Sequence, residues 1–347
     1  MIHYLCIGRQ VLATFLISVL FTLMPLIGND NRAFAAEETN VHALIEGAKK
    51  EGEVVFYSAT NIEDTRALVA KFNEKYPSIK VEIYSSINVN ILNRMLMEAK
   101  GKRRINDVLM TAGVTTQTIK DSGLLARYLS PESKFYPEGF KDKEGYWTDS
   151  FLTVHSMVYN TRLLPARELP VKYRDLLNPK WKGKMGINLE NHMWILAITD
   201  SMGEQEGLEF LKALAQQNPV VRTGGAMTVM LAAAGEISLG VSVNANSVER
   251  AKAVGAPVDW IRLKEPFYGE LHPVALNVTA PHPNAAKLLI DYILSPEGQE
   301  VLVKLGRISS RTGLKPSYIK ADLIRPLNPT PGKTEYTKKL IRQIFVK

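Results

Sequence analysis

The hydrophobic pattern of this chain changes period in a regular rhythm. Val54–Tyr57 is a continuous apolar run, and after Thr65 the residues Leu68, Val69 and Phe72 recur at helical spacing. The first pattern predicts a buried strand and the second one face of a helix. Residues 79–84 (IKVEIY) alternate as a second strand. Ile91, Leu92, Met95, Leu96 and Ala99 then share a helix face that Gly101 ends. Asp107–Met110 reads as a third strand, followed by Thr111-Ala112-Gly113 and a helix to Gly123. Strand, small polar turn and helix repeat three times, which predicts an α/β fold with a wound sheet.

A stretch rich in Pro, Gly and Tyr, 128–150, breaks the rhythm, and Phe151–Asn160 reads as a strand. The pattern restarts at Lys184–Asn188, whose polar turn Leu189–His192 leads into an apolar helix around Trp194–Met202. A helix over 205–217 follows, then a short strand at Val220-Val221 and a turn, Thr223-Gly224-Gly225, that opens a helix stopping at Gly235. Ile237–Val243 is a strand ending at Asn244-Ala245-Asn246, Val258–Leu263 another, and Gly269–Val278 a further extended segment. Helices over 283–294 and 296–305 come next, the second opened by Ser295-Pro296-Glu297. Ser as cap, Pro in the first turn and an early acid are helix-start signals. A Pro-rich stretch at 325–331 precedes an amphipathic helix from about 334.

The turns carry the chemistry. A strand feeding a helix through a small polar turn leaves backbone N–H groups free, with the positive end of the helix dipole behind them. Such turns stand at Ser58–Asn61, Ser85-Ser86, Thr111-Ala112, Glu190–His192, Thr223–Gly225 and Asn244–Asn246, divided between the two halves of the chain. In open α/β sheets ligands settle beyond the carboxyl ends of strands. Six polar turns in two half-chains therefore predict a cleft between two lobes, and each hydroxyl can equally cap its own helix. The candidate ligand contacts are Ser58, Thr60, Asn61, Ser86 and Thr111 from one half, and Glu190, His192, Thr223, Gly224 and Asn244 from the other. Tyr159 at a strand end and Glu270 before the second crossing join them. His155, on a presumed strand, reads as a structural histidine.

The remaining features narrow the class. Arg9, the apolar run Val11–Ile27 and Ala33-Phe34-Ala35 form the pattern of a secretory signal peptide over residues 1–36. The one cysteine, Cys6, lies before that run, so the exported chain is expected to be held by its core and not by disulfides. The chain is mildly basic, at +8, with Lys and Arg dispersed apart from Lys102-Arg103-Arg104, which argues against nucleic acid. HExxH, CxxC, GxxxxGK[ST] and GxGxxG are all missing, and Gly240-Val241-Ser242-Val243-Asn244 misses the GxSxG elbow at its last position. The five histidines after residue 36 have no metal-ligand spacing. No catalytic residue, metal site or cofactor is expected.

Several segments resemble the periplasmic solute-binding proteins of ABC importers, in the branch that includes ferric-iron-binding proteins. They are EGEVVFYSATN, LVAKFNEKYPSIKVEIYSS, VYNTRLLP, DLLNPKWKGKMGI, LAAAGEISLGVSV and HPNAAKLLIDYILSPEGQEVL, in order over about residues 45–315. The resemblance implies a type-II periplasmic-binding fold, with lobe one at 37–148 plus 275–347 and lobe two at 149–274. Extended hinge strands would join the lobes, and hinge motion would close them on a solute. It also implies a membrane permease as partner, a periplasmic location and a monomer. Iron-binding members hold the metal with two adjacent tyrosines after the strand that here ends at Val243. This chain reads Asn244-Ala245-Asn246-Ser247 there, and Asn61 stands near the position of a first-turn histidine. Hydroxyls, amides and N–H groups favour a small, oxygen-rich, anionic organic solute. Ferric iron or an iron chelate is the alternative, and a secreted α/β hydrolase or lyase the alternative of another class.

Overall fold

A computed structural model describes residues 41–265, 267–314, 319, 324–327 and 329–346. The expected signal peptide lies outside the described residues. A first helix, α1, covers residues 41–51. Then β1 (Glu53–Ser58), α2 (Ile62–Lys75), β2 (Lys80–Ser85), α3 (Asn88–Lys100), β3 (Val108–Met110) and α4 (Gly113–Asp121) alternate, as the hydrophobic pattern predicts. Strand β4 (Leu125–Ala126) and a 14-residue strand, β5 (Trp147–Asn160), follow. The second alternation runs β6 (Met185–Asn188), α5 (Met193–Met202), α6 (Glu204–Ala215), β7 (Val220–Arg222), α7 (Gly225–Ala234), β8 (Leu239–Asn244) and α8 (Ala245–Ala253). The chain ends with β9 (Val258–Trp260), β10 (Phe267–Asn277), α9 (Pro283–Leu294), α10 (Pro296–Lys304), β11 (Ile308–Ser309), β12 (Ile324–Leu327) and α11 (Pro331–Phe345).

The strands form two sheet halves of one design. In the first, the order is β2-β1-β3-β10-β5, with β1, β2 and β3 parallel and β10 antiparallel to β3 and β5. In the second, the order is β7-β6-β8-β5-β9, with β6, β7 and β8 parallel and β5 antiparallel to β8 and β9. Each half inserts one antiparallel strand beside its third parallel strand. Strand β5 belongs to both: up to Val154 it pairs with β10, and from His155 it pairs with β8 and β9. These are two αβ lobes joined by extended strands.

The crossing strands are pinned at one irregular point. The register of β10 against β5 shifts between Leu271 and Pro273, and the His272 N–H donates to Asp149 Oδ1 at 2.5 Å instead of to the ladder. The other Asp149 oxygen accepts from Ser310 Oγ, so a carboxylate with no solvent exposure fastens the bulge. Gly240 permits the close approach of β8 to β5. A Cβ there would lie 2.6 Å from Val158 Cγ1 and 2.7 Å from Thr228 Cγ2.

Three features differ from the sequence reading. The broken stretch before residue 150 already contains the start of β5, because Trp147 and Thr148 pair with Ala275 and Val274. The Pro-rich tail contains β12, an edge partner of β10 whose Pro326 needs no ladder donor. The C-terminal helix, assigned to lobe one from the sequence, buries Leu340, Ile341 and Phe345 among α5 and α6 residues such as Ile198 and Phe210. It also touches α4, so it straps the two halves together.

Candidate solute-binding cleft

In the first lobe most of the candidate hydroxyls serve their own helices. Asn61 Oδ1 accepts from Glu63 N at 2.9 Å and caps α2. Ser58 Oγ lies 2.9 Å from Thr65 Oγ1 and accepts from Thr60 N, while Thr111 Oγ1 lies 2.8 Å from Thr116 Oγ1. Ser58 and Thr111 are almost fully buried, so their oxygens are spent inside the fold. Asn88 Oδ1 takes the Ala112 N–H, and Ser86 Oγ accepts from Asn90 Nδ2. Thr60 differs: its Oγ1 is buried and has no hydrogen-bond partner.

In the second lobe one side chain ties two turns together. Asn188 Oδ1 accepts from Glu190 N at 3.1 Å and from Gly224 N at 3.0 Å. Gly224 reaches that position at φ +98°, a conformation open to glycine. Glu190 and Thr223 are exposed at the rim, and His192 is half-buried at the start of α5. Ser242 is fully buried; its Oγ accepts from Asn188 N and donates to Asn188 O. The near-miss of the nucleophile elbow is therefore a buried strand residue.

The antiparallel course of β5 decides which of its ends reaches the cleft. His155 is in register with Asn244, at the carboxyl end of β8, while Tyr159 is in register with Leu239 at the other end. Four residues of strand separate them, about 13 Å. Tyr159 packs in the core with Leu176 and Trp181, and His155, not Tyr159, stands beside Asn244 at the carboxyl end of β8.

Around His155 buried polar atoms collect without partners. Both its ring nitrogens, Asn191 Nδ2, His192 Nδ1, Asn244 Oδ1 and Asn246 Oδ1 are buried without a well-aligned hydrogen bond, the Asn191 and Asn244 amides lying beside the His155 ring, and Thr60 Oγ1 of the first lobe is likewise unpartnered. Burial pushes the His155 pKa down to about 4; the neighbouring His192 adds to this, while hydrogen bonding from the Asn191 and Asn244 amides works in the other direction. Burial likewise lowers His192 to about 4. Native proteins leave few buried polar groups without a partner.

Between the lobes, β5 and β10 present Thr153, Glu270 and His272. Glu270 is in register with Thr153, and Thr153 Oγ1 lies 2.9 Å from His272 Nε2. Burial raises the Glu270 pKa to about 7 and lowers that of His272 to about 3, the latter helped by the Arg307 charge. His272 also stacks on Phe151, ring centroids 4.3 Å apart.

One carboxylate is paired from both lobes. Asp64, in the first turn of α2, pairs with Arg307 at 2.6 Å and with Arg250 of α8, across the cleft, at 3.7 Å. Two guanidinium groups share one buried carboxylate, leaving surplus positive charge beside Thr60 and α8. His155, Asn191, Asn246, Asp64, Arg250 and Arg307 were not foreseen as site residues. Asn191 and Asn246 lie in turns the sequence marks, whereas Arg307 reaches the cleft only through the packing of the chain after α10. Among the described residues no group of three His, Cys, Asp or Glu side chains is placed to hold a metal ion, and no helix is long and apolar enough to cross a membrane.

Several solved structures share this architecture. Iron-bound HitA from Pseudomonas aeruginosa matches with a TM-score of 0.71 at 20% identity, over 84% of this chain and 99% of that one. IdiA (FutA) of Trichodesmium, in complex with iron and citrate, also gives 0.71 at 19% identity, over 85% and 100%. AfuA from Actinobacillus pleuropneumoniae, with fructose-6-phosphate bound, gives 0.63 at 22% identity, over 85% and 99%. An uncharacterized protein of Haemophilus influenzae is 27% identical over 266 residues, 73% of this chain and 75% of its own length. The two-lobed α/β architecture is thus the type-II periplasmic-binding fold. The family model for bacterial extracellular solute-binding proteins matches residues 104–324, well over half of the chain, and the chain belongs to that family.

Proposed function

We propose that this protein is the periplasmic binding component of an ABC importer and that it captures a small, oxygen-rich, anionic organic solute, of which a sugar phosphate is the leading example. The observation that carries the reading is the set of buried polar atoms without a well-aligned hydrogen bond on Thr60 of lobe one and on His155, Asn191, Asn244 and Asn246 of lobe two, at strand ends and helix starts. Neutral His155 and His192, the amides and the free helix N-termini offer donors and acceptors. The surplus charge of Arg250 and Arg307 over Asp64 selects an anion. Ser86, Glu190, His192, Thr223, Gly224 and Glu270 complete the proposed lining, while Ser58, Asn61 and Thr111 support it from behind.

In this reading the solute bridges lobe one (37–148 plus 275–347, without α11) and lobe two (149–274), and closure follows because it contacts both. The protein works without turnover or a bound cofactor, as a monomer released by signal cleavage, and hands its cargo to a permease; it has no role with nucleic acid. The iron-bound neighbours favour a second reading in which ferric iron arrives as a chelate such as ferric citrate, whose carboxylates would meet the same groups.

A thermal-shift series on the exported form tests this against sugar phosphates, organic acids, phosphonates, ferric citrate and ferric chloride. A ligand of the native state alone must raise the melting temperature. The reading expects an organic anion or its ferric chelate to give the largest shift and to be recovered unchanged. A large shift with ferric chloride alone, or consumption of the ligand, contradicts it.

A further inference from the structure

We infer that the solute carries an ammonium group as well as its anion, and that Glu270 binds the ammonium. The inference rests on the anionic reading above and adds the solute's second charge. Its ground is the layout of charge on the crossing strands. Glu270 of β10 stands in register with Thr153 of β5, so the two side chains leave the same face of the sheet. His272 joins them there: its Nε2 lies 2.9 Å from Thr153 Oγ1, and its ring stacks on Phe151 with centroids 4.3 Å apart. Tyr268, two residues before Glu270 on that face, packs with Met193 and Leu196 of α5, whose start carries His192. The first turn of α5 therefore lies over the strand face from which Glu270 projects.

The two ends of this face differ in sign. Arg307 holds its guanidinium over the Phe151 ring, 4.7 Å from the centroid, and together with Arg250 outweighs Asp64 there. Two strand residues further on, about 6–7 Å, is the level of Thr153 and Glu270. Among the described residues no lysine or arginine pairs with Glu270, and burial is the one influence that moves its pKa, to about 7. His272 and His155 do not serve as its cation, because burial holds both neutral, with pKa values near 3 and 4. Of the cleft's other acids, Asp64 is committed to its arginines, and Glu190 is exposed at the rim, where water weakens any pairing. Glu270, half-buried between the lobes, is left without a partner. A carboxylate in such a place takes a proton or a cation. A solute whose anion meets the arginines and whose ammonium lies one strand repeat away supplies the cation. Amino sugar phosphates and phosphorylated amines have that form.

Calorimetric titration of the exported chain at pH 7 uses two pairs of probes that share an anion and differ in the amine: glucosamine-6-phosphate against glucose-6-phosphate, and O-phosphoethanolamine against ethyl phosphate. In at least one pair the amine member is expected to bind about tenfold tighter, and Glu270→Gln is expected to bring that ratio to within about twofold. Glu270 is about half protonated at pH 7, so pairing with an ammonium expels its proton. The dependence of the binding heat on buffer ionisation should therefore show more protons released with the amine member than with its analogue, and Glu270→Gln should remove the difference. Equal or reversed affinities within both pairs, a preference that survives Glu270→Gln, or proton uptake in place of release overturns the inference and leaves the anionic reading standing. Binding by none of the four probes overturns both.

Discussion

His155 of β5 stands directly opposite Asn244 of β8, and each carries buried polar atoms with no hydrogen-bond partner. A pair without a well-aligned hydrogen bond in the free protein is costly there, and a ligand that completes it recovers that cost. His155→Leu should therefore leave the melting temperature of the free protein unchanged or raise it, while weakening the solute by about tenfold or more. Thermal scans with and without ligand, beside calorimetric titration, separate the two effects. A variant that unfolds readily yet binds normally would assign His155 to the core.

Asp64 and its two arginines should divide their effects between stability and binding. Asp64 and Arg307 are both largely buried, so Asp64→Ala leaves a guanidinium uncompensated and should cost about 3 kcal/mol in denaturant unfolding. Arg250 is half exposed and 3.7 Å from the carboxylate, so Arg250→Ala should cost less than about 0.5 kcal/mol. It should nevertheless weaken an anionic solute on the order of tenfold and flatten the salt dependence of binding.

Acid should destabilise the protein through its histidines, and Glu270 should oppose that trend. His155, His192 and His272 have folded pKa values near 4, 4 and 3, below the ordinary value of 6.5. Between 6.5 and 4 the unfolded chain binds more protons, so stability is full above pH 6.5 and falls as pH falls. Glu270 has the opposite sign. Its folded pKa of about 7 lies above the ordinary 4.5, so the folded state binds the extra proton and stability falls as pH rises from 4.5 through 7. Glu270→Gln should thus raise the melting temperature at pH 8 by a few degrees and gain nothing at pH 4. A pH-independent gain would mean that Glu270 is already partnered.

The C-terminal helix should matter for stability and little for the cleft. Ile341 is 1% exposed within the α5–α6 core, so Ile341→Ala should cost about 2–5 kcal/mol while leaving solute affinity within about twofold. Denaturant titration and calorimetry of the same preparation check both halves.

The elements were legible in the sequence because their periods are clean: Leu68, Val69 and Phe72 face the α2 core as their spacing predicts, and β1, β2 and β3 end at the polar turns. What was not legible is strand direction. Tyr159 stands at a strand end and looks like a cleft residue by the rule for parallel strands, but β5 runs antiparallel to β8. His155 is the residue beside Asn244 at the carboxyl end of β8, and Tyr159 goes to the core. Nor could composition say which hydroxyls were spent: Ser58 and Thr60 are two residues apart, yet one is hydrogen-bonded to Thr65 and the other has no partner. Arg307 and Asp64 are 243 positions apart in the chain and meet only through the fold.

A crystal structure of the protein with the solute that gives the largest thermal shift tests the central claim most directly. The account predicts ligand density between the lobes, with an oxygen-bearing group within hydrogen-bond distance of His155 or Asn244 on one side and Thr60 on the other. Density elsewhere, with those atoms still unpartnered, would contradict it.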